Sequence, residues 1–88
     1  MQLTEDQVIA ECHAAGGTGV FVLEQHALDR ADERRIGRRD LRNALSTATR
    51  ATLQANGRWL VAGGADLDGV PVSLVVRFYR GLVIVTLF

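Results

Sequence analysis

The chain has 88 residues, ten basic and ten acidic, with no net formal charge and 48 % hydrophobic content. This length suits one small domain with apolar material for one core, and the composition excludes a disordered polyelectrolyte. Zero net charge argues against a strong non-specific nucleic-acid binder, and a single cysteine excludes an internal disulfide framework and suits a reducing compartment.

The first predicted element is a helix capped by Thr4, with Glu5 and Asp6 in its positive first turn. Val8, Ile9 and Cys12 follow at helical spacing, and Gly16-Gly17 ends the run. Val20-Phe21-Val22-Leu23 reads as a short buried strand. A second helix carries His26 and ends near Ile36-Gly37. A third runs from about Arg38 to Leu53, with Leu41, Leu45, Ala48 and Thr52 on one stripe. After the hairpin signal Asn56-Gly57 come strands over 58–62, 70–79 and 82–88, separated by the turn cluster 63–69 and by Arg80-Gly81. The order predicts a single α+β domain over 1–88, with helices packed on an antiparallel meander.

Period-two alternation predicts the last hairpin's register. A two-residue turn at Arg80-Gly81 sets Tyr79 opposite Leu82, Arg77 opposite Ile84 and Val75 opposite Thr86. Ser73, Arg77 and Tyr79 then share a sheet face with Thr86, leaving Arg77 and Thr86 diagonal neighbours. The final strand is very apolar, so homodimerisation or strand addition is expected if it lies at an edge.

Several candidate sites fail on their own chemistry. Gly16-Gly17-Thr18-Gly19 lacks the Gly-Lys-Ser/Thr ending of a nucleotide loop. Asp66-Leu67-Asp68-Gly69 would need a bidentate Glu where Arg77 stands. Cys12-His13 are adjacent rather than spaced for a metal, so neither metal nor cofactor is expected. Cys12 shares its helical face with Val8 and Ile9, which predicts core packing. Trp59 reads as core or rim. The opening residues lack a secretory signal and no apolar run is long enough to span a bilayer, so the expectation is a cytoplasmic protein without membrane contact.

What remains is arginine. All ten basic residues are Arg, and six lie between Arg30 and Arg42. On a helix His26, Arg30 and Arg34 fall on one face, placing a proton-shuttling imidazole beside two guanidiniums that can fork onto phosphate or carboxylate. Arg38 and Arg39, at the positive start of the third helix, incur an electrostatic cost that an anionic ligand or Asp40 would offset. The competing reading is solvated ion pairing with Asp29, Asp32 and Glu33.

From His26-Ala27-Leu28-Asp29-Arg30-Ala31-Asp32-Glu33-Arg34-Arg35-Ile36 onward, the chain resembles the small bacterial domains catalogued as domain of unknown function 4258. Their pattern is a His-Ala opening, Arg four residues on, an Arg-Gly-Ile-Ser ending and a second helix. His26, Arg30, Arg34 and Ile36 match it, as does the helix beginning with Asp40-Leu41. Val83 to Phe88 resembles the family's apolar last strand with its late threonine. Arg35 and Gly37 stand where Gly and Ser are usual, which alters the cap between the helices. The resemblance covers roughly 20–88, leaving the helix in 1–17 outside it.

The family is placed near the RelE-like and BrnT-like toxins, small ribonucleases with helices on a curved antiparallel sheet. The resemblance therefore implies a metal-independent endoribonuclease, the toxin of a toxin–antitoxin pair, with RNA as substrate and a small protein as antitoxin. It implies His26 as proton-transfer group and Arg30, Arg34 and Arg77 as stabilisers of phosphate charge. Thr86 and Tyr79 would orient the phosphate or leaving oxygen, with Arg38 and Arg39 on the substrate. The alternatives are a non-catalytic interaction module using the Arg30–Arg42 face, or a structural domain whose arginines are only surface.

Overall fold

The computed structural model describes residues 2–88. Helix α1 (Glu5–Thr18) begins with a capping box: Thr4 Oγ1 accepts from Gln7 N, and Gln7 Oε1 accepts from Thr4 N. It runs one residue past Gly16-Gly17, to Thr18, and closes at Gly19, left-handed at φ 75°, whose N–H bonds to Ala15 O at 2.8 Å. Strand β1 (Val22–Leu23) is shorter than predicted, and Val20 and Val22 are exposed rather than buried. Helix α2 (Gln25–Glu33) stops earlier than expected, with Arg34 as its cap.

Helix α3 (Arg38–Thr47) also ends early, because Ala48 turns extended at ψ 138°. The predicted helix over 48–53 is instead strand β2 (Arg50–Leu53), which the β-branched Thr49 and Thr52 favour. Strands β3 (Trp59–Ala65), β4 (Pro71–Phe78) and β5 (Leu82–Leu87) complete the chain.

The sheet order is β1-β5-β4-β3-β2. β3, β4 and β5 form the expected antiparallel meander, β2 adds a fourth antiparallel strand to it, and β1 pairs parallel with β5, so the sheet is mixed and open. The α+β class with helices packed on the sheet is as predicted. β5 is interior, which removes the premise for pairing along that strand, and the two edges are β1 and β2.

One face of the sheet holds the core. Trp59, Val61, Val72, Leu74, Val76, Leu82, Ile84 and Leu87 pack there against Val8 and Cys12 of α1, Ala27 and Ala31 of α2, and Leu41, Ala44 and Leu45 of α3. Burial raises the Cys12 thiol to about 12, so it is a packed thiol with no nucleophilic character at neutral pH. Helix α3 sits unusually close to both its neighbours. A Cβ on Gly16 would stand 2.6 Å from Arg42 O, and one on Gly64 would stand 2.1 Å from Ala44 O.

Gly64→Ala must therefore push α3 off the sheet. It should cost about 1–3 kcal/mol, the usual scale for overpacking, or a midpoint drop of roughly 4–8 °C per kcal/mol for a domain of this size. Thermal unfolding of Gly64→Ala within a degree of wild type would contradict this contact.

Candidate functional site

The hairpin register differs from prediction near its turn and agrees beyond it. The loop spans Tyr79 to Gly81, with Arg80 left-handed at φ 52° and Tyr79 N donating to Gly81 O. Phe78 therefore pairs with Leu82 and Arg77 with Val83, one residue off the expected register. An extra residue on β5, Val85, forms a bulge that restores the Val75–Thr86 pair. Cross-strand partners share a face, so Ser73, Arg77 and Thr86 still lie together on the sheet face opposite the core.

Arg77 is not free on that face. Its Nε donates to Glu24 Oε1 at 3.0 Å, so the side chain reaches from β4 across β5 to the end of β1. Its guanidinium also lies 5.7 Å from the Tyr79 ring centre, with Arg80 at 5.6 Å, and Tyr79 itself is exposed. Val75, Val83 and Val85 are buried on this side, outside the main core.

Helix α2 continues from β1 along the second half of β5. Glu24 N bonds to Ile84 O, and further along α2 Arg30 Nε donates to Leu87 O at 3.2 Å. Arg30 thus occupies a main-chain acceptor at the strand edge, and Glu33 lies 3.9 Å from its Nη1. His26 and Arg30 share the helix side that this bond fixes, with His26 exposed. Arg34, at the cap with φ −91° and ψ 0°, follows in the same row. Its Nη1 is the one buried side-chain nitrogen or oxygen among the described residues without a hydrogen-bond partner.

Two of the three α3 arginines prove to be structural. Arg38 Nη2 donates to Gly19 O at 2.9 Å and Phe21 O at 2.8 Å, and its guanidinium stacks 4.1 Å over the Phe21 ring. Arg42, one turn on, donates from Nε to Gly16 O and from Nη2 to Gly17 O. These bonds close the last turn of α1 and the entry to β1, and no local pattern in the sequence marks them. Asp40 takes N–H donors from Leu67 and Gly37, which hold its carboxyl below the usual carboxylate range. It offsets the cations at this helix start, one of the two compensations expected there. Arg39 remains exposed.

Two hollows stand out. One, about 240 Å³, is bounded by Leu23, Leu28, Ala31, Asp32, Ile36, Arg38 and Leu41. The other is an open groove of about 560 Å³ between α1 and α3, where Arg39 and Arg42 face Gly16 and Gly17. Of the predicted residues, Arg38 lines the first and Arg39 the second, and neither is lined by His26, Arg30, Arg34, Arg77 or Thr86. No group of three or more His, Cys, Asp or Glu residues suited to a metal occurs among the described residues, and no helix there is long and apolar enough to cross a membrane. Comparison with family models, curated proteins and solved structures finds no match for the chain.

Two outcomes follow. Asp40 has a depressed folded pKa, so its contribution is present above the ordinary carboxylate range near 4 and is lost as pH falls through the lower folded value. Acid titration of stability should therefore show wild type losing more than Asp40→Asn below about pH 4; parallel curves would contradict the assignment. Arg34→Met keeps the stem and removes the unpaired donor. It should leave stability unchanged or raise it by about 1 kcal/mol, whereas a loss of that size would mean Arg34 is paired in solution.

Proposed function

We propose that this chain is a metal-independent endoribonuclease of the RelE-like kind, the toxin of a pair neutralised by a small protein partner in the cytoplasm. The observation that carries the reading is Arg34. The fold leaves its guanidinium uncompensated, in a row with the exposed His26, beside the strand edge that Arg30 holds. A partly buried cation without an acceptor is stabilised by an incoming anion, and a guanidinium matches a phosphodiester in charge and shape.

In this reading the 2′-hydroxyl attacks the adjacent phosphorus and gives its proton to His26. The new O2′–P bond replaces the P–O5′ bond, and His26 returns the proton to the departing 5′-oxygen. The products are a 2′,3′-cyclic phosphate and a 5′-hydroxyl. Arg34 stabilises the extra charge at phosphorus, and Thr86 with Tyr79 contacts the strand along the outer sheet face. Arg30 acts mainly by fixing the row against β5, and Arg77 joins the substrate only on leaving Glu24. Arg38 is withdrawn from the substrate set by its carbonyl bonds, while Arg39 stays available.

A specific observation favours the second reading, a non-catalytic interaction module. Three of the six arginines of the basic stretch donate to main-chain carbonyls and Arg77 is paired, which leaves Arg34, Arg35 and Arg39 of that stretch to dock an acidic protein segment.

Purified protein incubated with RNA and a chelator separates the two. The ribonuclease reading expects cleavage to 5′-hydroxyl ends, reduced about 10²-fold or more in His26→Ala and strongly reduced in Arg34→Ala. Intact RNA with wild type, or equal rates in the variants, would reject it. The module reading instead expects Arg34→Glu to weaken partner binding while RNA stays intact.

A further inference from the structure

The sheet ends at β1, and the manner of its ending is informative. In the parallel ladder with β5, Glu24 N donates to Ile84 O, so Val22 and Glu24 turn their main-chain groups inward. By alternation Phe21 and Leu23 turn theirs outward. Arg38 takes Phe21 O together with Gly19 O, so the open stretch of edge is centred on Leu23.

The 240 Å³ hollow adjoins this stretch, and Leu23 forms part of its wall. Its other apolar walls are Leu28, Ala31, Ile36 and Leu41. It is smaller than the roughly 300–1,000 Å³ of typical small-molecule sites, but it suits one anchoring side chain. Next to it Val20 and Val22 are 73 % and 63 % exposed. Natural sheet edges are commonly blunted by charge. Here Arg38 guards the upstream half, while aliphatic side chains flank the rest.

We propose that the β1 edge and this hollow bind an extended segment of a partner protein. The segment adds main-chain hydrogen bonds at Leu23 and seats one aliphatic or aromatic side chain in the hollow. Backbone pairing supplies affinity and the hollow supplies selection, while the next side chain along the added strand falls against Val22 on the outer face. Asp32 on the α2 wall calls for a cationic residue beside the anchor. This surface is separate from the Arg34 row and independent of the ribonuclease reading.

Panning a phage-displayed library of random dodecapeptides on the full chain tests the proposal. The selected peptides should share an apolar residue flanked by Arg or Lys. A synthetic copy should slow exchange of the Leu23 amide about tenfold in ¹⁵N NMR, a change worth about 1.4 kcal/mol. N-methylation of the peptide bond that pairs with Leu23 should weaken binding at least about tenfold. Leu28→Glu, a change at a half-exposed position, should do the same without unfolding the protein. The proposal is overturned by failure to enrich such peptides or by binding that leaves Leu23 unmoved. It is also overturned if concentration-dependent self-association protects Leu23 without peptide, since a second copy would then be the occupant.

Discussion

The bond on which this small fold depends runs from guanidinium to main-chain carbonyl. Arg30, Arg38 and Arg42 together hold the carbonyls of Gly16, Gly17, Gly19, Phe21 and Leu87. Those acceptors lie where ladders and helices run out: the last turn of α1, the entry to β1 and the end of β5. Carbonyls there have no regular partner, and leaving them unpaired in partly buried ground is costly. A planar guanidinium reaches two acceptors from one side chain in a fixed geometry, which a lysine ammonium does not reproduce. Arg38 and Arg42, one turn apart on α3, act as a double clamp between helices α1 and α3 and the sheet edge.

That arrangement sorts the basic stretch by role. Cations bonded to carbonyls are committed to structure, and Arg77 is held by Glu24 across β5. Arg34 is different, because the fold brings it into partial burial and supplies no acceptor for Nη1. An unpaired polar group of this kind lowers stability unless something else binds there, which is the usual relation between stability and function. The short parallel β1 serves the same end. It starts α2 at the outer side of β5, where Arg30 replaces the strand partner that would otherwise extend along Val85 to Leu87.

Most local signals in the sequence identified the right kind of element. Thr4 as a helix cap, the Asn56-Gly57 turn, the alternating last strands and the packing of Cys12 were all legible, as was the α+β class. Helix ends and the Arg80-Gly81 turn were misplaced by a residue or a few, and the larger misreadings came from pairings between distant parts of the chain. Residues 48–53 carry an apolar stripe that continues α3, and only pairing of Arg50–Leu53 with β3 makes them a strand; Thr49 and Thr52 were the available signal. The parallel contact of β1 with β5 joins residues some sixty positions apart and leaves no local trace. The candidate row was legible as a helix face. Its division into clamping and free arginines was not, because a guanidinium bonded to a carbonyl and one in water are the same letter.

Exchange of the arginine Nε–H protons, resolved by ¹⁵N NMR, tests the clamp most directly, since each acceptor here engages a named nitrogen. Arg30 and Arg42 should be protected at neutral pH, together with the Glu24-paired Arg77, while Arg39 and Arg80 exchange freely. If Arg30 and Arg42 exchanged as fast as Arg39, the clamp would not exist in solution and the sorting of this stretch into structural and free cations would fail with it.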